Sequence, residues 1–285
     1  LVGIPDPFAV SPVVVVDGLV TLTADGASVS NLKIAPGNVS GQVAAVSIYA
    51  SNTTVSGNLI DGMVGDNTAS IKGIFAYGGS ATALENITVS GNTIKNISNP
   101  GTLVKGTDGI QIQGNLIGVD VTNNIIQNIS SQGWAFGIEV TPSGANPTLP
   151  PQDVVITGNT ISNISAVTYP GIALSVDAYN AANPANASEV TVNLNRFNLL
   201  PVVNKDGVHS LNAENNWWGT AIGPQPSMMF GTMDASPWCT NPECTLFAEA
   251  PEVTIAAVSP VVCGNTLTST INVNVTGVPT ASPMQ

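Results

Sequence analysis

V-S-G-N-T-I at residues 89–94 returns as V-S-G-N-L-I at 55–60, V-T-N-N-I-I at 121–126, I-T-G-N-T-I at 156–161 and V-N-L-N-R-F at 192–197; a degenerate copy ends in Asn216 and Trp218. The asparagines of this phrase, Asn58, Asn92, Asn124, Asn159, Asn195 and Asn216, stand 34, 32, 35, 36 and 21 residues apart. A fixed phrase at a variable period describes coils of one solenoid joined by loops of different length. Three copies run on into Asn-Ile-Ser at Asn96, Asn128 and Asn163, which makes a second asparagine column. Asn tolerates the left-handed conformation of a corner, and stacked amides hydrogen-bond from layer to layer, so both columns have a structural reason.

A second phrase alternates with the first: A-V-S-I at 45–48, G-I-F-A at 73–76, G-I-Q-I at 109–112, G-I-E-V at 137–140, G-I-A-L at 171–174 and G-V-H-S at 207–210. Alternate residues of a strand face the same way. Val46, Ile74, Ile110, Ile138, Ile172 and Val208 are therefore expected to stack inward. The shortest spacing, 21 residues, is too short for two strands and a crossover helix. The expected fold is all-β, a parallel β-solenoid.

Composition agrees. Of 285 residues, 43% are hydrophobic and only 8% charged, against about a quarter charged in ordinary soluble domains. By count there are 30 Asn, beside 28 Gly and 20 Pro, all poor helix formers. Six Lys plus Arg against 18 Asp plus Glu give a formal charge of -12, which argues against a nucleic-acid partner. Apolar runs stay far short of the ~20 residues of a bilayer span, so membrane insertion is not expected. The sequence opens at Leu1 without a methionine, and a secretory signal is the expected preceding segment.

Cys239 and Cys244, in P-W-C-T-N-P-E-C-T, suit a small disulfide loop in an oxidising compartment. The competing metal site lacks a second Cys or His pair, since the single histidine, His209, lies thirty residues upstream. Cys263 is left over. Eight N-x-S/T sequons begin at Asn38, Asn52, Asn86, Asn96, Asn128, Asn163, Asn186 and Asn274. Several arise from the repeat phrase itself; Asn186, in the loop A-N-P-A-N-A-S, is the glycosylation candidate.

These repeats resemble the right-handed parallel β-helix repeats of the pectin-lyase-like superfamily. N-N-W-W-G-T at 215–220, followed by Gly223-Pro224 and S-P-W at 236–238, is similar to the closing segment of large secreted surface proteins built on that fold. The resemblance covers about residues 19 to 240. It implies a right-handed helix over 19–219, preceded by an N-terminal extension or cap at 1–18 and followed by a capping segment at 220–250. Trp217, Trp218 and Trp238 would cover the last coil. From Val253 the sequence looks like the opening of an immunoglobulin-like or cohesin-like module. Only about two strands are legible at 251–285, a short extension that would fold back or complete a sheet on a neighbouring copy.

The resemblance also raises catalysis, and the residues give it little. The related lyases use a basic residue beside acidic calcium ligands, but Arg196 stands alone and no calcium motif occurs, so no cofactor is expected. The polygalacturonase pattern is echoed only by T-D-G-I at 107–110. Asp108, Glu139 and His209 are the weak catalytic candidates. Asp108 and Glu139 should lie one coil and three positions apart, roughly 11 Å between backbones; Glu139 and His209 should share a column two coils apart, roughly 10 Å. Glycan binding suits the same face better. A column of small residues (Ala45, Gly73, Gly109, Gly137, Gly171 and Gly207) beside Tyr49, Phe75, Tyr77, Gln111, Gln113 and Glu139 would form a trough on which sugars stack. The leading expectation is a secreted cell-surface scaffold of adhesive, sheath or filament type, self-associating through its C-terminal strands and touching polysaccharide. A polysaccharide lyase or hydrolase and a non-catalytic carbohydrate-binding module are the alternatives.

Overall fold

The computed structural model describes residues 14–144, 149–180 and 183–248, and, further on, the backbone of the strands Glu252–Ala256, Val261–Cys263, Thr266–Thr268 and Asn272–Thr276. Among the described residues the only helical pieces are two three-residue 3-10 turns, Ala187–Glu189 and Pro226–Met228. Residues 14–234 form a parallel β-solenoid of three sheets, to each of which the full coils give a strand; past Ala166 the second sheet continues as single bridges at Arg196 and Trp217. The first sheet has 8 strands and includes Thr54–Ser56, Leu84–Ser90, Leu116–Thr122 and Gln152–Thr157. The second has 7 and includes Leu59–Gly65, Thr93–Asn99, Ile125–Ser131 and Thr160–Ala166. The third has 8: Val20–Leu22, Ala44–Ile48, Ile71–Gly78, Thr107–Gly114, Ala135–Thr141, Gly171–Val176, Val202–Asn204 and Met229–Phe230.

The asparagine phrase is the corner between the first and second sheets. Val29, Val55, Val89, Val121, Ile156 and Val192 stack before it; Ile60, Ile94, Ile126 and Ile161 stack after it. The third sheet adds Val46, Ile74, Ile110, Ile138, Leu174 and Val202. These three rows are almost wholly buried and form one continuous core. Burial of each such side chain favours the fold by about 1.5–3 kcal/mol before chain entropy is set against it.

Asn58, Asn92, Asn124, Asn159, Asn195 and Asn216 do line up, buried, along the axis. At each step the backbone N–H and the side-chain Nδ2 of one asparagine both donate to Oδ1 of the next, at 2.9–3.0 Å between Asn92 and Asn124 and 2.9 Å between Asn124 and Asn159. Each Nδ2 also donates to a first-sheet carbonyl, as from Asn124 to Val89. One amide thus serves the corner backbone of two coils. The left-handed residue is the one before it, at Gly57, Gly91, Asn123, Gly158, Leu194 and Asn215; this corrects the expectation that the ladder asparagine itself adopts that conformation. The second column does adopt it, at Asn96, Asn128 and Asn163 with φ of 56°, 56° and 52°. Its exposed amides also form a ladder, Asn128 Nδ2 donating to Asn96 Oδ1 at 3.0 Å and Asn163 Nδ2 to Asn128 Oδ1 at 3.2 Å.

The third sheet departs from the expected register at its end. Leu174, not Ile172, pairs with Ile138, and Val202, not Val208, comes next. G-V-H-S is a loop after the strand, and Val208 is 84% exposed. The last spacing, Asn195 to Asn216, is only 21 residues, and there the strand Val202–Asn204 follows closely on the corner. Trp218 and Trp238 are buried in the last coils, Trp218 edge-on to Phe197 at 5.1 Å between ring centres, while Trp217 is half-buried. Cys239 and Cys244 form a disulfide next to this segment. Beyond residue 250 four strands pair antiparallel with one another, Glu252–Ala256 with Asn272–Thr276 and Val261–Cys263 with Thr266–Thr268, where the sequence suggested two. The N-terminal extension up to residue 13 and the side chain of Cys263 lie outside the described residues.

Asn124→Ala should lower stability by about 3–5 kcal/mol, because it strands several buried donors and acceptors at once; Asn128→Ala, in the exposed ladder, should cost no more than about 1 kcal/mol. Urea unfolding midpoints of the two variants check this, and equal losses would refute it. Leu194, left-handed at φ 56° and partly exposed where other coils carry Gly or Asn, supplies a complementary case. Leu194→Gly should stabilise the protein by about 1 kcal/mol by relieving that conformation, read as a rise in the same midpoint.

Candidate functional site

The outer face of the third sheet carries one unbroken row: Thr21, Ser47, Phe75, Gln111, Glu139, Ser175, Val203 and Phe230, each the lateral partner of the next. Seven steps at ~4.8 Å make it roughly 34 Å long. Beside it runs the shorter row Ala44, Lys72, Asp108, Phe136 and Ile172. The glycine column does not floor a trough between these rows, as expected; it faces inward. A Cβ on Gly109 would sit 2.5 Å from Ile126 Cγ2, and one on Gly137 2.5 Å from Ile161 Cγ2. The isoleucines of the second sheet fill the space that a side chain there would need. Strand alternation breaks at this point, so that Asp108 and Gln111 both face outward while Gly109 and Ile110 both face the core.

Two concavities lie over this face. One of about 680 Å³ is lined by Lys72, Asp108, Gln111, Glu139, Asp177 and Lys205, with Trp134, Phe136, Tyr169, Tyr179 and Phe230 on its walls. The other, about 760 Å³, is lined by Ser47, Tyr49, Phe75 and Tyr77. Gln42, Lys72, Gln113 and Tyr179 line both, so the two are stretches of one trough along the axis. In its second stretch Phe75 and Tyr77 stack at 5.3 Å, with Tyr49 edge-on to both at 6.4 Å. Tyr49 is exposed and Tyr77 half-exposed, but Phe75 is only 8% exposed and works chiefly as the support of its neighbours.

At the deepest point Asp108 and Glu139 are both buried. Gln111 Nε2 donates to Glu139 Oε2. Asp108 Oδ1 and Gln111 Oε1 are buried without a partner. Burial pushes the Asp108 carboxyl up to about 7, with the Lys72 ammonium opposing and Asp177 reinforcing the rise. Burial also holds the Glu139 carboxyl well above the ordinary range, and the charges of Asp108 and Asp177 add to that effect while the Gln111 hydrogen bond and Lys72 oppose it. Both carboxyl groups line the same stretch of the trough. Lys72, 3% exposed, lies with Nζ 5.0 Å above the Phe75 ring, and Lys205 Nζ meets Asp177 Oδ2 at 2.8 Å.

His209 is not in this row. Val203 occupies the place expected for it, and His209 sits on the following loop with Nδ1 2.8 Å from Asp206 Oδ2. Asp206 also accepts from the backbone N–H groups of Ala187 and Val208. Burial of Asp206 is outweighed by these hydrogen bonds, which bring its carboxyl down to about 2. The pair ties two loops together. Asn186, half-buried, precedes the turn Ala187–Glu189, and Ser188 Oγ donates to its Oδ1 at 2.7 Å. Among the described residues no three His, Cys, Asp or Glu side chains are grouped to hold a metal ion.

Asp177, Trp134, Tyr169, Tyr179 and Phe230 were missed in the sequence because loops of irregular length, or the shifted last coils, bring them to the trough. Their one visible signal is position: Tyr169 directly precedes Pro170-Gly171, and Tyr179 follows the strand Gly171–Val176 closely.

No protein-family model matches the chain, and no curated protein does. Among solved structures the Dettilon tailspike protein (gp208) is similar at 12% identity and a TM-score of 0.17, over 88% of this chain and 65% of that one. The chain therefore spans less than two thirds of the tailspike chain's length. At that score the two share too little geometry for one to inform the site of the other.

A buried acid that keeps its proton where the unfolded chain has lost it binds more protons folded than unfolded, so it destabilises the fold as pH rises. Tm should accordingly fall between about pH 4 and pH 7, the window set by the shift of Asp108 from 3.8 to about 7. Asp108→Asn combined with Glu139→Gln should flatten that slope. Asp206 acts oppositely and only below about pH 4, where its contribution is lost as the pH falls towards 2. A Tm that rises steadily from pH 4 to 7 in the unsubstituted protein would contradict the protonated pair.

Proposed function

We propose that this chain is a secreted, cell-surface β-helix of the pectin-lyase-like kind that binds an extended polysaccharide along the outer face of its third sheet. The observation that carries this is the continuous trough, which joins aromatic rings with exposed faces to buried hydrogen-bonding groups without partners. Sugar rings need both: flat surfaces for their C–H faces and directed polar groups for their hydroxyls. The rigid coil stack suits a scaffold, because the trough runs along the axis and a long ligand lies across several coils at once. The burial of Trp218 within N-N-W-W-G is consistent with the closing-segment role that this motif has in surface proteins.

Tyr77→Ala should weaken retention on an immobilised polysaccharide at least tenfold and leave Tm within a few degrees, because the ring is half-exposed. Retention unchanged by this substitution and by Tyr179→Ala would remove the trough as the binding site.

Hydrolysis is a second reading, favoured by one specific observation: Asp108 and Glu139 are two buried carboxyl groups lining one stretch of the trough, and burial together with the charge of Asp108 disfavours ionisation of Glu139. Such a pair tends to hold one proton, which leaves one member an acid and the other a base, the division of labour that glycosidic bond cleavage requires. Incubation with polysaccharides tests it by release of reducing ends. Asp108→Asn and Glu139→Gln should each lower the rate at least a hundredfold while retention persists; product release unaffected by both would end this reading.

A further inference from the structure

The trough brings the carboxyl groups of Asp108, Glu139 and Asp177 and the amide of Gln111 to one stretch. Among the described residues, Lys72 and Lys205 bring positive charge to its walls. Lys205 is paired with Asp177 at 2.8 Å; Lys72 is buried, its Nζ over the Phe75 ring. Among the described residues no arginine or histidine lines either stretch, and the whole chain carries -12. In a chain of net charge -12, where one lysine of the trough is paired with Asp177 and the other is buried over a ring, a polyuronate would bring a further carboxylate on every sugar.

The partnerless atoms point the same way. Gln111 Oε1 is an acceptor, and Asp108 Oδ1 is one whenever it does not carry the proton. Buried acceptors are satisfied by donors. A sugar hydroxyl or the N–H of an acetamido group donates, whereas the carboxylate that replaces the hydroxymethyl group of a uronate only accepts, so each uronate offers the trough one donor fewer. Along the walls Tyr49, Tyr77, Tyr169, Tyr179 and Phe230 offer ring faces and no charge.

From these two observations we infer that the trough selects an uncharged, hydroxyl-rich polysaccharide and excludes uronic-acid polymers, its central acceptors Asp108 and Gln111 taking hydrogen bonds from the sugar. This rests on the polysaccharide reading above and names the class of polymer.

Affinity electrophoresis of the intact chain tests it, with dextran, soluble β-glucan, galactomannan and xyloglucan as neutral polymers and polygalacturonate and alginate as charged ones, each at low and high salt. At least one neutral polymer should retard the protein with little salt dependence, and neither uronate should. Gln111→Leu, which keeps the side-chain bulk and removes the acceptor, should weaken the neutral-polymer interaction about tenfold with an unchanged migration in plain gel. Retardation by a uronate polymer that Tyr77→Ala abolishes would overturn the selectivity and leave the polysaccharide site standing. Retardation by no polymer of either kind would overturn both.

Discussion

The amide chain from Asn216 to Asn58 is the constraint on which the other features depend. At every corner between the first and second sheets a turn leaves backbone donors and carbonyls facing inward, away from water. Asparagine supplies an acceptor and two donors at the one position that reaches both the coil above and the coil below. A slip of one residue in any coil would break two amide contacts and reverse the burial of every aliphatic residue in that strand. Register is therefore set twice, by polar satisfaction at the corner and by side-chain stacking along the strands. That double specification lets residues roughly thirty apart in the chain become lateral neighbours on the third sheet.

The three faces are not equivalent. On the first sheet the outward row Ser30, Ser56, Ser90, Thr122 and Thr157 is small and uniform, and on the second the exposed asparagine ladder consumes its own hydrogen bonds. Such rows suit a lattice of repeated coils. On the third sheet the outward row changes chemistry at nearly every step, from hydroxyl to ring to amide to carboxylate, and loops from both of its ends rise around it. A face that a solenoid builds from unlike residues has been given a different task from its two regular neighbours.

Much of this was legible in the repeat. Two phrases, a 2-residue alternation and a spacing too short for helices lead to a parallel β-solenoid, and they place Gln111 and Glu139 on one face. What the phrases did not reveal follows from physics that alternation ignores. The glycine before each third-sheet isoleucine turns inward because Ile126 and Ile161 crowd it, so Asp108 is aimed beside Gln111 and not away from it. In the last coil, 21 residues from Asn195 to Asn216, the resemblance of G-V-H-S to its predecessors loses its meaning; the strand that pairs is Val202–Asn204. The aromatic walls come from loops, whose lengths no periodicity constrains.

Burying Asp108 and Glu139 together is costly, since neither has a cationic partner in contact and an acceptor on Asp108 is left unmet. A marginal domain would relieve that cost by moving the strand. Here Thr107–Gly114 and Ala135–Thr141 are each paired over most of their length on both sides, and the ladder asparagines Asn124 and Asn159 hold the adjoining corners. The coils that carry the unfavourable pair are therefore among those least able to rearrange around it. A feature that weakens the fold, placed where the fold cannot yield, is most simply explained by what it does for a ligand: the missing hydrogen-bond partners are those that a sugar chain lying in the trough would bring.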